Sequence, residues 1–536
     1  MGFFAEPVKP TLSRTAARRV LSMLAGAALL TSACAEPALS RQAAPSAGEP
    51  TEATVDTGAL RGRVAGGIET FKGIPYAAPP VGDLRWRAPR AAAAWAGVRE
   101  ADRFGTDCIQ NKPGWDATQS KEPTSEDCLT LNVWAPADAA KAPVMVWIHG
   151  GGYVMGSGSQ PIFDGAKLAA RGVVVVTFNY RLGRFGFFAH PALTREAAGA
   201  ATGNFGYMDQ VAALQWVKRN IAAFGGDPAN VTIFGESAGG GSVNQLMLVE
   251  PARGLFHKAI VQSGGGRDVL PLLNADKPTK KSAESVGLAF AAKAGVSGED
   301  LAALRAIPAA KVLGGLDLLN QEEATYSGPL IDGVLVTGNA SEGFRAGRQA
   351  RIPYLVGANS DELGMIPALF RGGMASKALK ELGDAAPSVE AAYGSKSAMN
   401  DRLLSDITFV EPARHLAAVQ AAATAPTWLY SFGYVPEAKR KSQKGAGHAT
   451  ELAFVFGNLS GLDVAATPAD AATATLVGDY WAAFAKTGNP NGASRPAWPA
   501  YDKAADTLLS FTNDGAVAAQ PAAGPLDAIG SHHTRP

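Results

Sequence analysis

The sequence predicts an α/β fold built around a mostly parallel twisted sheet flanked by helices, and three observations carry that expectation. Short β-branched runs alternate with segments whose apolar residues recur at helical spacing, the pattern of strands joined by crossover helices. One run, Val173 to Phe178, is apolar almost without interruption, as a strand buried on both faces must be. Two glycine-rich motifs follow directly on such runs, and in open α/β sheets ligands gather at the carboxyl ends of the strands.

Taken in order, the chain opens with Arg14, Arg18 and Arg19 ahead of an apolar run from Val20 to Leu30. That run is too short to span a bilayer and leads into Thr31-Ser32-Ala33-Cys34-Ala35, so residues 1–35 are expected to be an export signal cleaved after Ala35. Leu30 to Cys34 loosely resembles a lipoprotein box, and a membrane attachment is expected only if Cys34 is lipidated. Residues 36–50, rich in Ala, Pro, Ser and Glu, read as a flexible linker. The whole chain of 536 residues is 47% apolar and 18% charged, enough to bury a large core. Its net charge is +1, with no basic run longer than Lys439-Arg440-Lys441, which removes the electrostatic case for a nucleic-acid partner. Export would leave Cys108 and Cys128 as a pair in an oxidising compartment, and a disulfide between them is expected. A metal site there would need further His or Cys ligands, and none is near in sequence.

Thr130 to Trp134 and Val144 to Ile148 read as strands, and the second runs into His149-Gly150-Gly151-Gly152. Three glycines after a strand let backbone N–H groups turn toward one point, which is how an oxyanion hole is built. A phosphate-binding loop would instead need a following Lys-Ser/Thr or dinucleotide-type glycine spacing, and neither is present. Asn204 to Gln210 opens a helix with Val211, Leu214, Val217 and Ile221 on one face, stopped by Gly225-Gly226-Asp227-Pro228. The strand Asn230 to Phe234 then ends at Gly235-Glu236-Ser237-Ala238-Gly239, ahead of a helix-capable segment from Val243 to Val249. Strand, tight turn and helix form the setting of a nucleophile elbow, in which the serine occupies a strained turn and its neighbours two residues away must be small. An ordinary glycine-rich turn is the alternative, and the remaining motifs decide between them.

Together, Glu126-Asp127-Cys128-Leu129-Thr130-Leu131-Asn132-Val133, His149-Gly150-Gly151-Gly152, Asn179-Tyr180-Arg181-Leu182-Gly183, Gly203-Asn204-Phe205-Gly206, Asp209-Gln210 and Gly235-Glu236-Ser237-Ala238-Gly239 resemble the type-B carboxylesterase family. That family includes bacterial p-nitrobenzyl-type esterases and is related to cholinesterases. The resemblance runs from about Gly58 to about Tyr501. It implies an α/β-hydrolase fold with loop and helical insertions covering the active site, here residues 51–525, followed by a polar tail at 526–536. It also implies a serine carboxylesterase that acts on small-molecule esters through an acyl-enzyme, with no metal or organic cofactor. Asp361 and Glu362 sit side by side after the strand Ile352 to Gly357, and the resemblance selects Glu362 as the acid. The family usually carries Gly where this chain has Leu363.

Of the four histidines that follow, His415 falls in a helix expected at 411–423, and His532 and His533 fall in the tail. His448 lies in a loop ahead of Leu452 to Gly457, where the family places its catalytic histidine. The expected triad is therefore Ser237, Glu362 and His448, with the oxyanion held by the N–H groups of Gly151, Gly152 and Ala238. His149 is expected to orient the loop rather than act as a base. The helix from Ala471 to Thr487, carrying Leu476, Tyr480, Trp481 and Phe484, reads as packing.

Substrate is less legible. In the family the segment matching Gln262-Ser263-Gly264-Gly265-Gly266-Arg267 lies near the acyl pocket, and Arg184 stands where a small or apolar residue is usual. Arg267 or Arg184 could pair with a carboxylate on the acyl group, as an ester of a di- or tricarboxylic acid carries and a fumonisin-type esterase removes. The alternative is that both are structural ion pairs. A non-catalytic cholinesterase-like binding module would lack the nucleophile, and this chain has Ser237.

Overall fold

The computed structural model describes residues 48–114 and 118–533. The expected signal segment, Cys34 and most of the expected linker lie outside these residues. Twelve strands form the spine of one sheet: β1 (Glu49–Val55), β2 (Gly58–Ala65), β3 (Ile68–Pro75), β4 (Thr130–Pro136), β5 (Ala142–Ile148), β6 (Val174–Phe178), β7 (Gly226–Glu236), β8 (Lys258–Gln262), β9 (Tyr354–Asn359), β10 (Thr427–Phe432), β11 (Leu508–Thr512) and β12 (Gly515–Ala519). Their spatial order is β1-β2-β3-β4-β6-β5-β7-β8-β9-β10-β11-β12, and Val98–Glu100 pairs beside β2. From β6 to β11 every neighbouring pair is parallel. The edges are antiparallel, β1 to β4 with β6 on one side and β12 on the other.

The near-continuous apolar runs have a direct cause in this arrangement. Successive side chains on a strand point to opposite faces. Val146, Val176, Ile233, Val261 and Val356 enter the core on one face, while their neighbours Trp147, Val175, Phe234, Ile260 and Leu355 enter a second core on the other. Helices cover both faces: α1 (Phe205–Asn220) and α3 (Glu411–Ala422) share the first core, and α4 (Pro468–Thr487) supplies Val477, Tyr480, Trp481 and Phe484 to the second. The start of α4 is fixed by a capping box between Thr467 and Asp470 with Pro468 at the first helical position, three residues ahead of the expected start.

Four other elements differ from the sequence reading. The helix after the elbow, α2, spans Ala238–Leu246 and so takes Gly239, Gly240 and Gly241 into its first turns, five residues before the apolar segment suggested. β1 begins at Glu49, inside the expected linker. The apolar run after His448, for which the loop position of the histidine suggests a strand, is instead a short helix, Leu452–Val455. Residues 526–532, expected as a tail, belong to α5 (Ala523–His532), whose Leu526 and Ile529 are buried. Ile529 joins Ala375, Leu382, Val389, Tyr393, Met399 and Leu403 in a separate cluster formed with the helical insertion at 368–405.

Cys108 and Cys128 are both buried and joined by a disulfide, with their Cα atoms 5.0 Å apart and 20 positions apart in sequence. Closing a loop of that length removes denatured-state entropy. Replacing both cysteines by alanine is therefore expected to lower the free energy of unfolding by about 3 kcal/mol. The measurement is the urea midpoint, which should fall in the variant and become insensitive to reductant.

Candidate active site

The site forms where β5, β7, β8 and β9 end. β7 delivers Ser237 on a backbone with φ 55° and ψ −126°, a conformation that side chains other than glycine rarely adopt. The turn tolerates no Cβ at its flanks. One on Gly235 would stand 2.6 Å from the Gly239 carbonyl carbon, and one on Gly239 would run into the carbonyl oxygen of Ile148 at the end of β5. The Ser237 N–H donates to the Gln262 carbonyl at 3.0 Å, and the Ser237 carbonyl accepts from Gly241 at 2.9 Å. The serine is thus clamped between β8 and its own helix.

Beyond Ile148 the glycine loop folds back over the elbow. Gly151 and Gly152 take φ values of 99° and 62°, and the Gly151 carbonyl accepts from Val154 and Met155, each at 3.1 Å. The N–H groups of Gly151, Gly152 and Ala238 donate to no protein acceptor among the described residues. His149 is fully buried and stacked on Tyr180 with ring centroids 4.4 Å apart. Its Nδ1 lies 3.0 Å from the Gly150 carbonyl, which can only accept, so this nitrogen carries the proton. Burial lowers its pKa to about 4, so the ring is neutral at pH 7.

Glu362 is completely buried just past β9. Its Oε2 lies 2.6 Å from His448 Nδ1, while Oε1 accepts from Ser263 Oγ at 2.5 Å and the Asn359 N–H at 2.6 Å. The main chain repeats the link, because the His448 N–H donates to the Glu362 carbonyl at 3.0 Å. Asp361 instead packs toward Gly364 and Gly445. The His448 ring rests on Phe409, with centroids 4.8 Å apart. Its Nε2 faces Glu236 Oε1 at 3.1 Å, a charge contact without hydrogen-bond geometry. No hydrogen bond joins His448 to Ser237 Oγ among the described residues.

Residues 49–393 and 374–528 match the carboxylesterase family, which covers nearly every described residue. The chain belongs to the carboxylesterase family. The family assigns it as a serine carboxylesterase, a carboxylic-ester hydrolase on the α/β-hydrolase fold. Among its curated relatives are the fumonisin B1 esterase of Sphingopyxis macrogoltabida, 37% identical over 84% of this chain and 85% of that one. The para-nitrobenzyl esterase of Bacillus subtilis is 38% identical over 85% and 94% respectively. A solved PNB esterase superposes with a TM-score of 0.77 at 34% identity, covering 89% of this chain and 99% of its own.

In this carboxylesterase the two arginines singled out from sequence are already occupied. Arg184 is only 1% exposed, and Glu322, the Thr325 hydroxyl and three carbonyl oxygens take its donors. Arg267 grips Glu411 with two nitrogens, Nε at 2.9 Å and Nη2 closer still. A substrate carboxylate would have to displace one of these glutamates.

Other polar residues around the site escaped the sequence reading. Glu451, three positions after His448, is buried and accepts from Asn359 Nδ2 at 2.6 Å and Gln262 Nε2 at 3.0 Å. Gln262 in turn accepts from Trp481 Nε1 at 3.1 Å, so α4 supports the site as well as the core. Glu236 was visible within the elbow motif, but its meeting with His448 depends on a contact spanning more than 200 positions. Burial raises the Glu236 pKa against the pull of His448. Burial acts oppositely on His448, yet the Glu236 and Glu362 carboxylates outweigh it and raise the imidazole above its ordinary value. Removing a neighbouring negative charge must lower a histidine pKa. Ring titration of His448 by NMR is therefore expected to show a midpoint above the ordinary 6.5, and Glu236→Gln is expected to move it to lower pH.

Proposed function

We propose that Ser237, His448 and Glu362 are the catalytic triad of this ester hydrolase and that the N–H groups of Gly151, Gly152 and Ala238 form its oxyanion hole. The observation that carries the reading is the 2.6 Å contact of His448 Nδ1 with a fully buried Glu362, at the same sheet edge as the strained Ser237. A serine hydroxyl is a weak nucleophile at neutral pH. In its neutral form, and once the contact with Glu236 has opened, His448 takes the Ser237 proton on Nε2 as Oγ attacks the ester carbonyl, and Glu362 fixes the tautomer and stabilises the imidazolium that forms. The carbonyl oxygen gains negative charge and is met by the three free N–H groups. His448 then protonates the departing alcohol, and water, deprotonated by the same nitrogen, releases the acid from Ser237. His448 must turn from Glu236 toward Oγ on substrate binding, and such bonds commonly tighten only in the substrate complex.

Small neutral esters are the proposed substrates. Esters of tricarboxylic acids are the second reading, favoured by similarity to a protein named fumonisin B1 esterase and weakened by the engagement of Arg184 and Arg267. Export is proposed on the expected signal at residues 1–35 and the Cys108–Cys128 disulfide, a bond that persists in oxidising compartments. No described helix is long and apolar enough to cross a membrane.

The test compares kcat/KM on butyryl and tricarballylyl esters of one alcohol. The neutral ester is expected to be preferred. Preference for the anionic ester, lost in Arg267→Ala or Arg184→Ala, would replace the first reading with the second. Ser237→Ala is expected to lower kcat by about 10⁴-fold or more and to abolish labelling by a serine-directed phosphonate. Unchanged turnover in that variant would remove Ser237 from the mechanism.

A further inference from the structure

Arg184 has a role that its burial makes visible. The Arg184 guanidinium holds both ends of the segment 312–325, which is anchored in the core by Val312 and Leu316 and exposes Leu319 between them and Thr325. Nη1 donates to the carbonyls of Val312 and Leu313 at 3.1 and 3.2 Å, and Nε donates to the Thr325 carbonyl at 2.7 Å. Nη2 bonds Glu322 Oε2 at 2.6 Å and Thr325 Oγ1 at 2.7 Å. Glu322 passes the tie back to the start of the segment by accepting from the Gly315 N–H at 2.8 Å. The planar guanidinium suits this task because its donors diverge in fixed directions. Asn111 adds a third hold, its Nδ2 donating to the carbonyls of Gly314 and Leu316 at 3.1 and 2.8 Å.

What the segment carries lies against the glycine loop. A Cβ on Gly152 would stand 2.9 Å from Leu318 Cδ1 and 3.6 Å from Gln321 Nε2. Leu318 is nevertheless 40% exposed. The neighbouring residue Gln110 registers the glycine loop itself, accepting from the Gly156 N–H and donating to the Gly156 carbonyl, both at 2.8 Å. Adjacent residues, 110 and 111, therefore fix the two loops relative to each other.

We propose that Leu318 and Gln321 determine which esters the site accepts, and that Arg184 and Asn111 are positioning residues that hold them over Gly152. The inference rests on the reading of Gly152 as an oxyanion donor, since only then does a group beside it meet the bound ester. An ester arm lying across Gly152 meets a leucine and an amide there rather than a charge, which selects by size and apolar contact. Pocket contacts of one or two methylene groups change discrimination by roughly 10-fold or more.

The experiment measures kcat/KM for two pairs of esters, p-nitrophenyl acetate against octanoate and ethyl against hexyl acetate, in the parent protein, Leu318→Ala, Asn111→Ala, their double variant and Arg184→Met. Leu318→Ala is expected to shift at least one of the two ratios by about 10-fold. Asn111→Ala and Arg184→Met are expected to move the same ratio in the same direction, and the double variant is expected to go no further than Leu318→Ala, because the residues act through one another. A purely structural role would lower the rates within each pair equally and leave both ratios unchanged, and that result overturns the proposal. Asn111 is half-buried at the segment's edge, so its variant decides the matter even where Arg184→Met does not fold. Phosphonate labelling of Ser237 separates the two levels. A parent protein that is not labelled overturns the site reading together with this inference, whereas labelled variants with unchanged ratios overturn this inference alone.

Discussion

The structure depends on a steric constraint at the centre of the sheet. β7 and β5 lie side by side, with Gly235 opposite Ile148, and the helix that follows Ser237 must start beneath the end of β5. The approach is so close that no side chain fits at Gly239 without meeting the Ile148 carbonyl. This one contact fixes several things at once. It sets the strained backbone of Ser237, brings the glycine loop after β5 against the elbow, and leaves the Ala238 N–H at the head of α2 with no protein acceptor among the described residues. On the proposed assignment, the helix N-terminus and the loop amides together meet the oxygen that gains charge.

The second constraint is electrostatic. Glu236, Glu362 and Glu451 are buried around a single imidazole, and unpaired carboxylates in such surroundings are costly. Each is accommodated differently. Glu362 is ringed by donors from His448, Ser263 and Asn359. Glu451 is held by two side-chain amides, and burial still raises its pKa. Glu236 has the fewest partners, and burial raises its pKa as well. The charge state of the imidazole is therefore set jointly by its carboxylate neighbours rather than by Glu362 alone.

Much of this was readable from the chain, and the boundary between readable and unreadable is physical. Local steric needs leave local marks, so the elbow around Ser237 and the glycines at 150–152 announce themselves, as do strands buried on both faces. Asp361 and Glu362 could not be separated from composition, because both follow one strand and only the turn after Asn359 decides which carboxylate swings inward. Arg184 and Arg267 drew notice as charges in unusual places, yet their partners Glu322 and Glu411 lie 138 and 144 positions away. The same holds for Glu451, Gln262 and Asn111, whose meaning resides in contacts between distant segments. The helix at the end of the chain reads as a tail in the sequence because its apolar face is short and flanked by alanine, proline and histidine. Its burial is a tertiary effect.

That last helix has a consequence for the order in which the molecule can be completed. Ile529 closes a cluster whose other members, from Ala375 to Leu403, are translated long before it. The insertion at 368–405 therefore emerges with an open apolar side and waits for the chain's final turns to seal it. During synthesis, that unsealed side is an apolar surface for a chaperone to cover.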